Sequence, residues 1–84
     1  MADVKRGSVV WVRSGHDARR YYAVVGIEEN GYLLIADGKL RTLEKPKRKN
    51  PIHLQPTREE LPEEAMATNK QLRKALHRYN YGND

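Results

Sequence analysis

Eighty-four residues suit one domain with a modest core, since domains typically take about 100–150 residues and smaller ones bury less of their surface. A hydrophobic share of 38%, no cysteine, and no apolar run near the ~18–20 residues of a membrane helix argue against disulfides, thiolate metal sites and a helical membrane span. The net charge of +5 is unevenly held: residues 1–56 carry eleven Lys or Arg against six Asp or Glu, and residues 57–84 carry five against five, so a polyanionic partner is expected for the first segment.

Gly7 precedes Ser8-Val9-Val10-Trp11-Val12, whose β-branched and aromatic residues predict a first strand. Trp11 shares a face with Val9 and is expected in the core. The polar stretch from Ser14 to Arg20, with Gly15 inside it, reads as a loop, and Tyr21 to Glu28 as a second strand. Asn30-Gly31 predicts a type I′ hairpin turn into a third strand, Tyr32 to Ala36. Asp37-Gly38 predicts a second tight turn into a fourth strand, Leu40 to Glu44. Lys45-Pro46-Lys47-Arg48-Lys49-Asn50-Pro51 reads as a basic loop, because prolines lack ladder donors and like charges repel. Ile52-His53-Leu54 then supplies a short closing strand, with Ile52 and Leu54 on one face. Five short strands in so few residues predict a small SH3-like barrel over residues 1–56.

Residues 57–68 are acidic and interrupted by Pro62, and read as a linker. Thr68 with Gln71 three residues later has the form of a capping box, and Leu72, Ala75, Leu76 and Tyr79 recur at helical spacing, so a helix is predicted over 69–80. Its apolar stripe should pack on the barrel, since so short a helix is marginal alone. Residues 81–84 are expected to be loose.

The run Gly7-x-Val9-x-Trp11, with Gly15 in a polar loop and then Val24-Val25-Gly26-Ile27, resembles the KOW motif. Together with Gly15 to Tyr21, Ile35-Ala36-Asp37-Gly38 and Leu43 to Lys47, it resembles the KOW-barrel ribosomal proteins of the large subunit and their small bacterial relatives that bind RNA. That resemblance implies a five-stranded KOW barrel with RNA, ribosomal RNA in particular, as its partner. It also implies ribosomal proteins as possible neighbours and a contact through the loop joining the first two strands. Such loops usually carry a second glycine, and here Arg19 stands in its place.

The residue chemistry agrees. Arg13, His16, Arg19 and Arg20 flank Gly15, whose missing side chain permits close backbone approach, and guanidinium groups grip phosphate oxygens in bidentate fashion. Lys39, Arg41, Lys45, Lys47, Arg48 and Lys49 form a second candidate patch for backbone contact. Tyr21, Tyr22 and Tyr32 are candidates to stack on unpaired bases. Alternation puts Tyr21 and Tyr22 on opposite faces, and Tyr21 is the better choice because it follows the basic loop.

Ser14, His16 and Asp17 include the three residue types of a hydrolytic triad, but neighbours in one loop seldom face one another, so no enzyme is expected. Three histidines without ligand spacing predict neither metal nor other cofactor. A polar Met1 to Gly7 predicts no secretion signal, and the expectation is a cytoplasmic monomer that does not enter membranes. The alternative function is a protein-interaction module, since SH3-like barrels also bind peptides.

Overall fold

The structure, a computed structural model, describes residues 4–82. It contains five antiparallel strands in one sheet and a C-terminal helix. The strands are β1 (Ser8–Val12), β2 (Tyr21–Ile27), β3 (Leu33–Ala36), β4 (Lys47–Lys49) and β5 (Leu54–Glu60), ordered β4-β3-β2-β1-β5 across the sheet. Helix α1 spans Asn69–Tyr81. No helix among the described residues is long and apolar enough to cross a membrane.

Strands β1 to β4 form a meander, and β5 returns to pair with β1, with Val10 opposite Pro56 and Val12 opposite Leu54. Because side chains alternate, β1, β2 and β3 each feed two cores. Val10, Val12, Tyr22, Val24, Leu33, Ile35 and Leu54 make one cluster. Val9, Ala23 and Ala36 project from the other face and are covered by Met66, Leu72 and Leu76. This explains why Val9 and Val10 are both fully buried although they are neighbours.

The helix forms as its sequence predicts. Thr68 is the N-cap, its Oγ1 accepting from Gln71 N–H at 3.1 Å, and Leu72 and Leu76 are buried while Ala75 and Tyr79 are half-buried. Two amide side chains fasten it to the sheet. Asn69 Oδ1 accepts from Leu43 N–H at 2.8 Å, and Asn80 both accepts from Tyr21 N–H at 2.7 Å and donates to Tyr21 C=O at 3.2 Å. Asn80 thus substitutes for a neighbouring strand where β3 has ended.

Several expectations are corrected. Leu40 to Glu44 is not a strand. Asp37 Oδ1 accepts from Lys39 N–H and Arg41 N–H at 3.0 and 2.9 Å, and Asn69 takes Leu43 N–H, so these backbone donors serve a wide turn and a helix contact instead of a ladder. The fourth strand lies in the expected basic loop. Lys47 to Lys49 pairs with β3 as an edge strand, flanked by Pro46 and Pro51 and not interrupted by them. Ile52 belongs to a 3-10 turn over Pro51–His53 and is 74% exposed, so it does not share the burial of Leu54. The expected linker begins as strand: Thr57 to Glu60 continue β5, and Leu61 and Met66 pack on the helix-side core.

The Asn30-Gly31 turn forms, but not as type I′. Only Gly31 has positive φ (+90°), Glu28 C=O accepts from Gly31 N–H at 2.9 Å, and Glu28 N–H donates to Tyr32 C=O at 2.8 Å. The turn is therefore centred on Glu29-Asn30, with Gly31 as the left-handed residue of a bulge. Trp11 lies in neither cluster and is half-buried, with Gln55 of β5 opposite it on one side and Tyr21 of β2 on the other. Tyr81, expected loose, is the last residue of α1; Asn83 and Asp84 lie outside the described residues.

Candidate nucleic-acid interface

The loop between β1 and β2 is closed by an irregular pair. Val12 N–H donates to Arg20 C=O at 3.0 Å and Arg19 N–H donates to Val12 C=O at 2.8 Å, so two residues oppose one. In a bulge of this kind the first residue is left-handed and usually glycine. Arg19 occupies it with φ +66°, the one described non-glycine residue at positive φ. The absent glycine is therefore replaced in side chain only, and the backbone keeps the glycine conformation at a cost of roughly 1–2 kcal/mol. The Arg19 side chain is exposed.

Asp17 anchors the loop from inside. It is 4% exposed, and Arg41 grips it with both arms, Nε to Oδ1 at 2.9 Å and Nη2 to Oδ2 at 3.2 Å. The Tyr22 hydroxyl donates to Oδ1 at 3.4 Å. Burial pushes the Asp17 carboxyl up, but the hydrogen bonds and charge of Arg41, with Lys49 and Tyr22, outweigh it and hold the group below the usual carboxylate range. Burial first, then the charges of Asp17 and Asp37, push the Tyr22 hydroxyl up to about 12. Arg41 is thus committed to joining the first loop to the turn after β3.

Further contacts draw the same segments together. Lys49 Nζ donates to Ser14 C=O at 3.4 Å and lies 3.0 Å from where a side chain on Gly15 would begin. Arg20 lies 3.6 Å from Asp37 Oδ2, donates to the Tyr81 hydroxyl at 3.4 Å, and sits 5.5 Å from the Tyr81 ring centre. Lys39 follows on the same turn, exposed. Of this group, His16, Arg19, Lys39 and Lys49 have no carboxylate within 4 Å among the described residues.

Other expected contacts lie elsewhere. Arg13 hydrogen-bonds Gln55 on β5. Arg48 pairs with Glu28 at 2.6 Å and lies 4.1 Å from the Tyr32 ring centre, covering one face of that ring. Among the described residues, no side-chain hydrogen bond or ion pair ties Lys45 or Lys47 to the loop cluster. Tyr21 is half-buried between sheet and helix as part of the second core, its ring 5.7 Å from that of Tyr79. The acidic segment is neutralised locally by Lys5–Glu60, Arg6–Glu63 and Arg78–Glu59 pairs at 3.3, 2.9 and 3.6 Å, which leaves the surplus of positive charge on the loops.

Arg73, Lys74, His77 and Tyr81 of α1 stand with Arg20 and Lys39 around one cleft. Sequence reasoning passed over them because residues 57–84 are neutral as a whole. The readable signal was the four-residue spacing of 73, 77 and 81, a second helix stripe beside the apolar one. Comparison with protein-family models finds none that matches the chain, and a search of curated proteins finds no match.

Proposed function

We propose that the chain is a non-catalytic RNA-binding module, an SH3-like barrel of the KOW type that meets the RNA backbone with a cationic rim. What supports the barrel assignment is the meander of β1 to β4, the return of β5 to β1, and one apolar cluster shared by β1, β2, β3 and β5. What supports RNA is a single arrangement. Arg41 clasps the buried Asp17 across two loops far apart in sequence, and His16, Arg19, Lys39 and Lys49 on and beside those loops have no carboxylate within 4 Å among the described residues. Uncompensated cations on a fixed frame bind phosphates, release counterions and confer affinity with little sequence preference. The resemblance to KOW proteins narrows the partner to structured RNA, ribosomal RNA foremost, in the cytoplasm.

The test is fluorescence anisotropy with a labelled RNA hairpin across a salt series of about 50–200 mM. Affinity should fall steeply with salt, and Arg19→Ala should weaken binding and flatten the slope of log K against log salt by about 1. Affinity indifferent to salt, or unchanged in Arg19→Ala and in Lys39→Ala/Lys49→Ala, refutes the assignment.

A further inference from the structure

Helix α1 carries two stripes. The apolar one is buried against the sheet; Arg73, Lys74, His77 and Tyr81 lie beside it, facing a cleft of about 460 Å³ between the helix, Arg20 and the turn at Asp37 and Lys39. That volume falls within the roughly 300–1,000 Å³ of small-molecule sites. Its charge is lopsided. Among the described lining residues, Arg20, Lys39, Arg73 and Lys74 face one carboxylate, that of Asp37, which already accepts two backbone N–H groups and neutralises Arg20. Lys39, Arg73 and Lys74 have no carboxylate within 4 Å among the described residues.

The cleft also holds aromatic surface. The Tyr81 ring is 50% exposed and its centre lies 5.0 Å from that of His77. A hydrogen bond from Arg20, then the charges of Arg20 and Lys39, hold the Tyr81 hydroxyl below the usual tyrosine range, as a positive local field requires. A bare anion would need only the cations. Exposed rings beside them add the stacking surface that unpaired bases use.

We propose that this cleft receives one unpaired nucleotide of the bound RNA, its phosphate among Lys39, Arg73 and Lys74 and its base against Tyr81 and His77. The inference rests on the RNA assignment above and deepens it. Lys39 belongs both to the rim and to the cleft, and Arg20 of the cleft directly follows Arg19 of the rim, so the two surfaces adjoin. Unpaired bases can splay onto aromatic rings, whereas bases inside an A-form duplex cannot.

The test uses the full chain and two labelled RNAs that share one hairpin, one blunt and one with a short single-stranded adenosine overhang. The wild type should bind the overhang RNA at least about fivefold more tightly, the lower end of what one stacked base contributes. Tyr81→Ala and Arg73→Ala/Lys74→Ala should remove that preference and leave blunt-hairpin affinity unchanged. Tyr81→Phe, which keeps the ring, should retain most of it, and circular dichroism should show α1 intact in each. Equal affinity for the two RNAs in the wild type, or a preference that survives Tyr81→Ala and Arg73→Ala/Lys74→Ala, overturns the cleft proposal and leaves the rim standing. Failure to bind either RNA overturns both.

Discussion

Gly38→Ala and Gly31→Ala form a matched pair that measures how tightly α1 sits on the sheet. Both glycines lie at positive φ, +82° and +90°, so each alanine incurs a similar backbone strain of about 1 kcal/mol. Their surroundings differ. A Cβ on Gly31 meets nothing within 4 Å, whereas one on Gly38 would stand 2.2 Å from Asn69 C=O and 3.0 Å from Arg73 N, both backbone atoms of α1. Backbone cannot turn aside as a side chain can, so the helix must shift and draw Leu72 and Leu76 away from Val9, Ala23 and Ala36. Such overpacking adds about 1–3 kcal/mol, giving a total near 2–4 kcal/mol for Gly38→Ala against about 1 for Gly31→Ala. For a domain of this size, that is roughly 8–32 °C in Tm against 4–8 °C. Urea unfolding followed by the fluorescence of Trp11 reads both variants directly. Equal destabilisation would mean that the helix does not bear on this turn, and the account of the second core would fail.

Arg19→Gly should move stability and binding in opposite directions. Relief of the left-handed strain, less the extra chain entropy of glycine, should raise stability by about 0.5–1 kcal/mol, while the RNA affinity of the Proposed function assay falls; a loss of stability would show that the bulge does not need a left-handed residue. Arg41→Ala leaves Asp17 buried without its guanidinium and should cost roughly 2–3 kcal/mol at neutral pH, a buried-pair loss discounted because Arg41 is one-third exposed. The folded pKa of Asp17 lies below its unfolded value, so the stability it contributes is present above about pH 4 and is lost as pH falls through the folded value. The gap between wild type and Arg41→Ala should therefore narrow in urea titrations taken below about pH 4, and a gap independent of pH would remove Asp17 from the explanation.

The first three strands and the helix were readable because their signals are local: β-branched runs, a glycine turn, and a cap followed by an apolar stripe. What could not be read depended on partners distant in sequence. Leu40 to Glu44 looks like a strand until Asp37 and Asn69 claim its N–H groups. Lys47 to Lys49 looks unsuitable until it is placed at an edge, where one side of its backbone needs no ladder. Pro56 likewise interrupts nothing, since β5 is the opposite edge. At the candidate site the cations were legible by type but not by commitment. Nothing in the sequence near Arg41 announces Asp17, or near Arg48 announces Glu28, and these pairings decide which charges remain available.

The three central strands have no bare side. One face of β1, β2 and β3 carries the cluster of Val10, Val12, Tyr22, Val24, Leu33 and Ile35 and the other lies beneath α1, so these strands offer no flat array of side chains to a visitor. The surface left open lies on the edge strands β4 and β5, in the loops at strand ends and along the seam with the helix. Those places can change residue by residue while the two interiors stay the same, which makes the partner separable, in evolution or by engineering, from the architecture that carries it.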